Sequence, residues 1–88
     1  MTESILNEAE SIVNGERAQD YGSAVESFGR IAQLASLLSG KELTAIDCCL
    51  VLKSVKLIRE SFKHKRDNLV DECGYAELEN RLREAGKE

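Results

Sequence analysis

The residue types best suited to chemistry are concentrated in Lys65-Arg66-Asp67-Asn68-Leu69-Val70-Asp71-Glu72-Cys73-Gly74-Tyr75. A cationic run gives way there, within one helical turn, to two carboxylates four residues apart. On a helix, Asp67, Asp71 and Tyr75 fall at i, i+4 and i+8, so two acids and a phenol share one face. Such a face can hold a divalent cation. It can equally begin a helix, because Asp and Asn are favoured N-caps and first-turn acids gain roughly 0.3–1 kcal/mol from the macrodipole.

The residues just upstream supply the opposite charge. Counting Lys and Arg against Asp and Glu, residues 1–52 carry about −5, residues 53–66 about +5 and residues 67–88 about −4, within a net charge of −4. An acidic chain with one short cationic strip lacks the broad basic face of a general nucleic-acid binder. The strip suits a small phosphorylated ligand better, with Lys56, Arg59 and Lys63 neutralising phosphates while Asp67 and Asp71 hold Mg²⁺ through hard oxygen ligands. The competing expectation is plain salt bridging between antiparallel helices, worth little at a surface. A second candidate is the loop Glu16 to Gly22, where Arg17 can take a phosphate bidentately and Tyr21 can stack on a base. Tyr21 can also simply plug one end of the fold, and Arg17 can pair with an acid.

Other chemistries find less support. His64 is the lone histidine, set in a basic run where a hydrated surface role is the simpler expectation. Ser23 has no histidine near it in sequence and is explained by helix capping; a Gly-rich phosphate loop is absent. Cys48, Cys49 and Cys73 do not make a zinc pattern, since adjacent cysteines point about 100° apart on a helix. They read as buried thiols of a reducing compartment.

These residues must be positioned by helices. The 88 residues include no proline and no tryptophan, and the wealth of Leu, Ala, Glu, Lys and Arg predicts a single all-α domain spanning 1–88. A lone core of this size is marginal, so oligomerisation is an expected supplement. No apolar run approaches the roughly 18–20 residues of a membrane span, and Met1 to Glu10 lacks a signal-peptide pattern, so a soluble, cytoplasmic protein is expected.

The pattern divides into four helices. The first runs from Thr2 or Ser4 to Asn14, with Gly15 as stop. The second opens on a Ser23–Glu26 capping box and ends at Ser39-Gly40. The third starts near Thr44, with Asp47 three residues on, and reaches about Lys63; its first half is apolar nearly all round. The fourth spans Asn68 to Ala85, its interior Gly74 marking either a close helix crossing or a ligand approach. Short connections make neighbours antiparallel, which predicts a four-helix bundle whose last turn folds the Asp67–Asp71–Tyr75 face beside the Lys56–Lys63 stripe.

The C-terminal half, with Lys56, Arg59, Lys63-His64-Lys65-Arg66-Asp67-Asn68-Leu69-Val70-Asp71 and Gly74-Tyr75-Ala76, resembles a small phage and prophage family of unknown function. Arg17, Asp20-Tyr21-Gly22 and Phe28 extend that likeness over nearly the whole chain. The family is in turn distantly similar to all-α nucleoside-triphosphate pyrophosphohydrolases of the MazG type. That resemblance implies a Mg²⁺-dependent, oligomeric helical bundle acting on an NTP or dNTP. MazG-type enzymes gather four carboxylates from an E-x-x-E pair and an E-x-x-D pair, and this chain has no E-x-x-E. Asp67 and Asp71 can replace the second pair, but Asp47 would have to supply a further ligand from the third helix. One weakly held Mg²⁺ is then conceivable and a two-metal machine is not.

Two functions follow as expectations. One is a nucleotide-binding domain using Arg17, Tyr21, Lys56, Arg59 and Lys63, with Asp47, Asp67 and Asp71 around Mg²⁺ and pyrophosphohydrolase-like chemistry if it is an enzyme. The other is a non-catalytic, homo-oligomeric phage accessory protein that binds a host protein or sequesters a signalling nucleotide.

Overall fold

The computed structural model describes residues 3–15 and 23–86, and these form four α-helices. They are α1 (Ile5–Asn14), α2 (Ala24–Ser39), α3 (Ala45–Phe62) and α4 (Arg66–Glu84). Three helix starts are capped by side chains, though of the expected Ser23–Glu26 box only the Ser23 half forms. Ser4 Oγ accepts the Asn7 N–H at 3.1 Å, and Ser23 Oγ accepts the Glu26 N–H at 3.2 Å. At α3 the box is reciprocal, Thr44 Oγ1 taking the Asp47 N–H at 3.0 Å while Asp47 Oδ2 takes the Thr44 N–H at 2.9 Å.

Helix α4 departs from expectation. It begins at Arg66 rather than Asn68, with Lys65 as an N-cap that makes no side-chain cap bond. The capping oxygen comes instead from α3, where Glu60 Oε1 accepts the Lys65 N–H at 2.9 Å and the Asn68 side-chain amide at 3.2 Å. Neither Asp67 nor Asn68 is therefore the N-cap. At the far end of α2, Gly40 adopts φ 70° and donates its N–H to Ser36 O at 3.0 Å, a left-handed stop that costs glycine little. The same Ser36 presents its hydroxyl to the backbone of Leu43, accepting the N–H at 2.9 Å, which draws the α2–α3 connection tight.

The pairings between helices fix their directions. Lys53 meets Glu79, Lys56 meets Asp71, and Glu60 meets Asn68, so the partners converge on the 63–65 turn and α3–α4 is an antiparallel hairpin. Along α1, Glu8 bonds Arg66 and Asn14 bonds Arg81, so α1 runs parallel to α4. Helix α4 is the hub. It touches the other three, whereas α1, within the described residues, packs on α4 alone. The helix count thus matches the expected bundle, but the packing is a three-helix core of α2, α3 and α4 with α1 laid along the open side of α4.

That core is built from Phe28, Ala32, Ala45, Ile46, Cys48, Cys49 and Leu82, with Leu52, Tyr75 and Leu78 closing around it. Cys48 and Cys49 are both buried, as expected of structural thiols, and Cys73 is half-buried. Gly74 sits where α1 packs on α4, and a Cβ there would lie 3.6 Å from Val13 Cγ2, an ordinary contact distance, so this crossing does not require glycine. Much of the larger apolar side-chain mass faces outward. Leu37 is 80% exposed, Leu38 78%, Ile58 70% and Phe62 92%.

Candidate functional site

The α3–α4 hairpin does place the basic stripe beside the acidic face, as the sequence pattern predicts. Lys56 Nζ lies 2.8 Å from Asp71 Oδ2, with both side chains mostly buried. Three residues back along α3, Lys53 Nζ approaches Glu79 Oε1 at 3.6 Å, and Glu79 also accepts the Arg83 Nε–H at 2.9 Å. Hydrogen bonding from Arg83 in the first place, and the Lys53 charge, hold the Glu79 carboxyl below the usual glutamate range. These are contacts across a packed helix pair: the cations facing α4 are matched by its acids.

At the turn, Glu60 is the organising group. It accepts His64 Nδ1, the Lys65 N–H and the Asn68 amide. Those hydrogen bonds, His64 first, depress its carboxyl below the ordinary 4.5. Asn68 is buried beneath it, 6% exposed, and its amide is satisfied by that one carboxylate. Arg66 turns the other way and binds Glu8 and the Glu3 backbone carbonyl, fastening α1. Sequence reasoning missed Glu60, Asn68 and Arg66 as structural residues. The available signal was that Glu60 is the one acid in the stripe Lys53, Lys56, Glu60, Lys63, spaced to reach both His64 and Asn68.

The expected carboxylate set does not assemble. Asp47 lies in the first turn of α3 and Asp67 in the first turn of α4, which are opposite ends of an antiparallel hairpin. Thirteen residues from Asp47 to Glu60 at 1.5 Å each put them roughly 20 Å apart. Asp47 is moreover engaged with the Thr44 backbone. Asp71 faces Lys56, and Asp67 is exposed. Among the described residues no three His, Cys, Asp or Glu side chains form a group that could hold a metal ion. Asp47, Asp67 and Asp71 do not fit a shared Mg²⁺ ion.

Of the expected phosphate ligands, Lys56 is paired, Arg59 and Lys63 are exposed near the end of α3, and Arg17 and Tyr21 lie outside the described residues. Beside Asp71 and Tyr75 there is a hollow of about 30 Å³ roofed by Ala9 and Ile12 of α1. That is room for a water molecule, an order of magnitude below a nucleotide-sized pocket. A larger hollow, about 310 Å³, opens between α1 and α4 at Leu6, Asn14, Cys73 and Arg81, away from the basic stripe. Tyr75 is drawn toward the core instead, its carbonyl lying 3.5 Å from Cys49 Sγ. No described helix is long and apolar enough to cross a membrane.

The class defined so far is a small all-helical domain with an internally charge-matched hairpin and an apolar outer face. The chain belongs to the DUF6378 family, a domain of unknown function whose model matches residues 4–83. It is 45% identical over 76 residues to the Gene 55 protein of Mycobacterium phage L5, covering 83% of this chain and 48% of that protein. It is also 38% identical over 85 residues to the Gene 55 protein of Mycobacterium phage D29, covering 96% of this chain and 56% of the relative. The chain therefore spans about half the length of these curated relatives. No solved structure matches it. The expected membership of a small phage family of unknown function is thus met.

Proposed function

We propose that this chain is a non-catalytic phage accessory domain that acts through protein association, using the outer apolar face of α2 and α3. One observation carries the reading: Lys56, Asp71 and Asp47, which could serve a ligand, are spent on the fold, while many residues suited to a core are outside. Lys53 and Lys56 answer Glu79 and Asp71, and Asp47 caps α3. Leu34, Leu37, Leu38, Ile58 and Phe62 meanwhile stand in solvent. Large apolar side chains exposed in this number support a role in interaction. The phage origin of the relatives suits an accessory role.

A second reading, nucleotide binding at the turn end of the hairpin, is favoured by Arg59 and Lys63, which are exposed beside the Lys56–Asp71 pair. The resemblance of the sequence to MazG-type enzymes points the same way, and Mg²⁺ would then arrive with the nucleotide rather than in a preformed cage. Melting the protein against a panel of NTPs and dNTPs with Mg²⁺ separates the two. A ligand at 100 times its Kd adds about 2.7 kcal/mol. The association reading predicts no nucleotide-dependent shift and no pyrophosphate release; a shift abolished by Arg59→Ala with Lys63→Ala would replace it with the second.

A further inference from the structure

We propose that α1 is a strap: it lifts from α4 and unwinds as one unit while α2, α3 and α4 stay folded, and so uncovers an apolar strip of α4 at Val70, Gly74 and Leu78. Its opening is independent of any association through α2 and α3. Within the described residues α1 packs on α4 alone. Its departure therefore breaks one helix contact and leaves those among α2, α3 and α4 in place.

The burial pattern divides the molecule along the same line. The cluster that forms the core draws on α2, α3 and α4 and contains no residue of α1. Ala9 and Val13 are buried outside that cluster, at the seam with α4, and Val70 is buried on the α4 side of the seam. The rest of the apolar face of α1 is loosely held, Leu6 being 71% and Ile12 36% exposed. The seam also contains the hollows of about 30 and 310 Å³, whereas packed interiors have few voids larger than a water molecule.

What fastens α1 is polar and sits near its two ends. Arg66 holds the Glu8 carboxylate and the Glu3 carbonyl, and Arg81 Nη2 donates to Asn14 Oδ1 at 2.7 Å. Solvent reaches both ends, and ion pairs and hydrogen bonds so placed stabilise little. With 10 residues, α1 is shorter than the roughly 12–15 at which an isolated helix is even marginal. It keeps its helix only while it lies on α4, so lifting and unwinding are one event. Few buried apolar contacts and solvent-exposed hydrogen bonds are the features of segments that open well below the free energy of global unfolding.

Native-state hydrogen exchange on the full chain, followed residue by residue at a series of sub-denaturing guanidinium concentrations, tests this. Relative to their intrinsic rates, the α1 amides from Glu8 to Asn14 exchange at least about tenfold faster than the best-protected amides of α3 and α4, with a shallow dependence on denaturant. Phe28→Leu, a change within the core and on a helix that α1 does not touch, is the discriminating variant. It speeds the α3 and α4 core amides about tenfold. The α1 amides keep their native rate, because the core is intact in the closed and the open strap alike. Glu8→Lys, which sets like charges together at the Arg66 anchor, speeds α1 exchange about tenfold. The proposal is overturned by α1 amides that share the core's rate and denaturant dependence in the native chain, or that accelerate in step with the core in Phe28→Leu. An α1 exchange rate indifferent to Glu8→Lys overturns it as well.

Discussion

Lys56 Nζ and Asp71 Oδ2 lie 2.8 Å apart across the α3–α4 hairpin, and each is mostly shielded from solvent by the helices that carry it. A pair so placed locks the register of two antiparallel helices, because a one-residue slip of either would turn one partner away. Removing either partner leaves the other half-buried without its counter-charge. Lys56→Met and Asp71→Asn are each expected to cost about 1 kcal/mol in denaturant unfolding, and the double variant little more than either alone. Additive losses would show that the two groups do not act as a pair.

The Glu60 carboxyl gives the fold an acid-sensitive joint. Its hydrogen bonds from His64, the Lys65 N–H and Asn68 lower its folded-state value beneath 4.5. A depressed carboxyl contributes stability that is fully present above the unfolded value and is lost as pH falls through the folded one. Stability should therefore decline on acidification from about pH 5 downward, and Glu60→Gln should flatten that decline while lowering the neutral-pH midpoint. A Glu60→Gln protein with the native pH profile would remove Glu60 from this role.

Two glycines should respond in opposite directions. At Gly74 a methyl group would rest at ordinary contact distance from Val13, so Gly74→Ala should raise stability by up to about 1 kcal/mol through helix propensity. Gly40 sits at φ 70°, and Gly40→Ala should lower stability by about 1 kcal/mol. Thermal melts of the two variants check the pair of signs.

Thiol labelling should report the core directly. Burial pushes the Cys48 and Cys49 thiols up, with the charges of Asp47 and Glu79 adding to it. Both should react slowly with a maleimide in the native protein and at full rate in denaturant, whereas the half-buried Cys73 should react at an intermediate rate. Rapid native labelling of Cys49 would mean that α3 does not pack on α4 as described.

Local structure was largely legible in the residues. Ser4, Ser23, Thr44 and Gly40 marked helix ends because capping is a local hydrogen-bonding problem, solved by residues within one turn. The start of α4 was not legible, because its capping oxygen arrives from Glu60 on another helix. Nor was the fate of the basic stripe: spacing places Lys56 near Asp71 whether the two serve a ligand or each other, and only the close contact, with a hollow merely water-sized beside it, distinguishes the cases. Asp47 misled for a related reason. Its capping role was visible, but a carboxylate at one end of α3 gives no sign in sequence of its distance from one at the start of α4. The outward face of α2 and α3 was visible only as a surplus of apolar positions, since periodicity shows that a second face exists and not what covers it.

Whether this chain binds a nucleotide or acts through its exposed apolar side chains is decided by melting it against each NTP and dNTP with Mg²⁺. A ligand at 100 times its Kd adds about 2.7 kcal/mol. The association reading predicts a Tm that no nucleotide moves. A rise in Tm that Arg59→Ala with Lys63→Ala abolishes would contradict it.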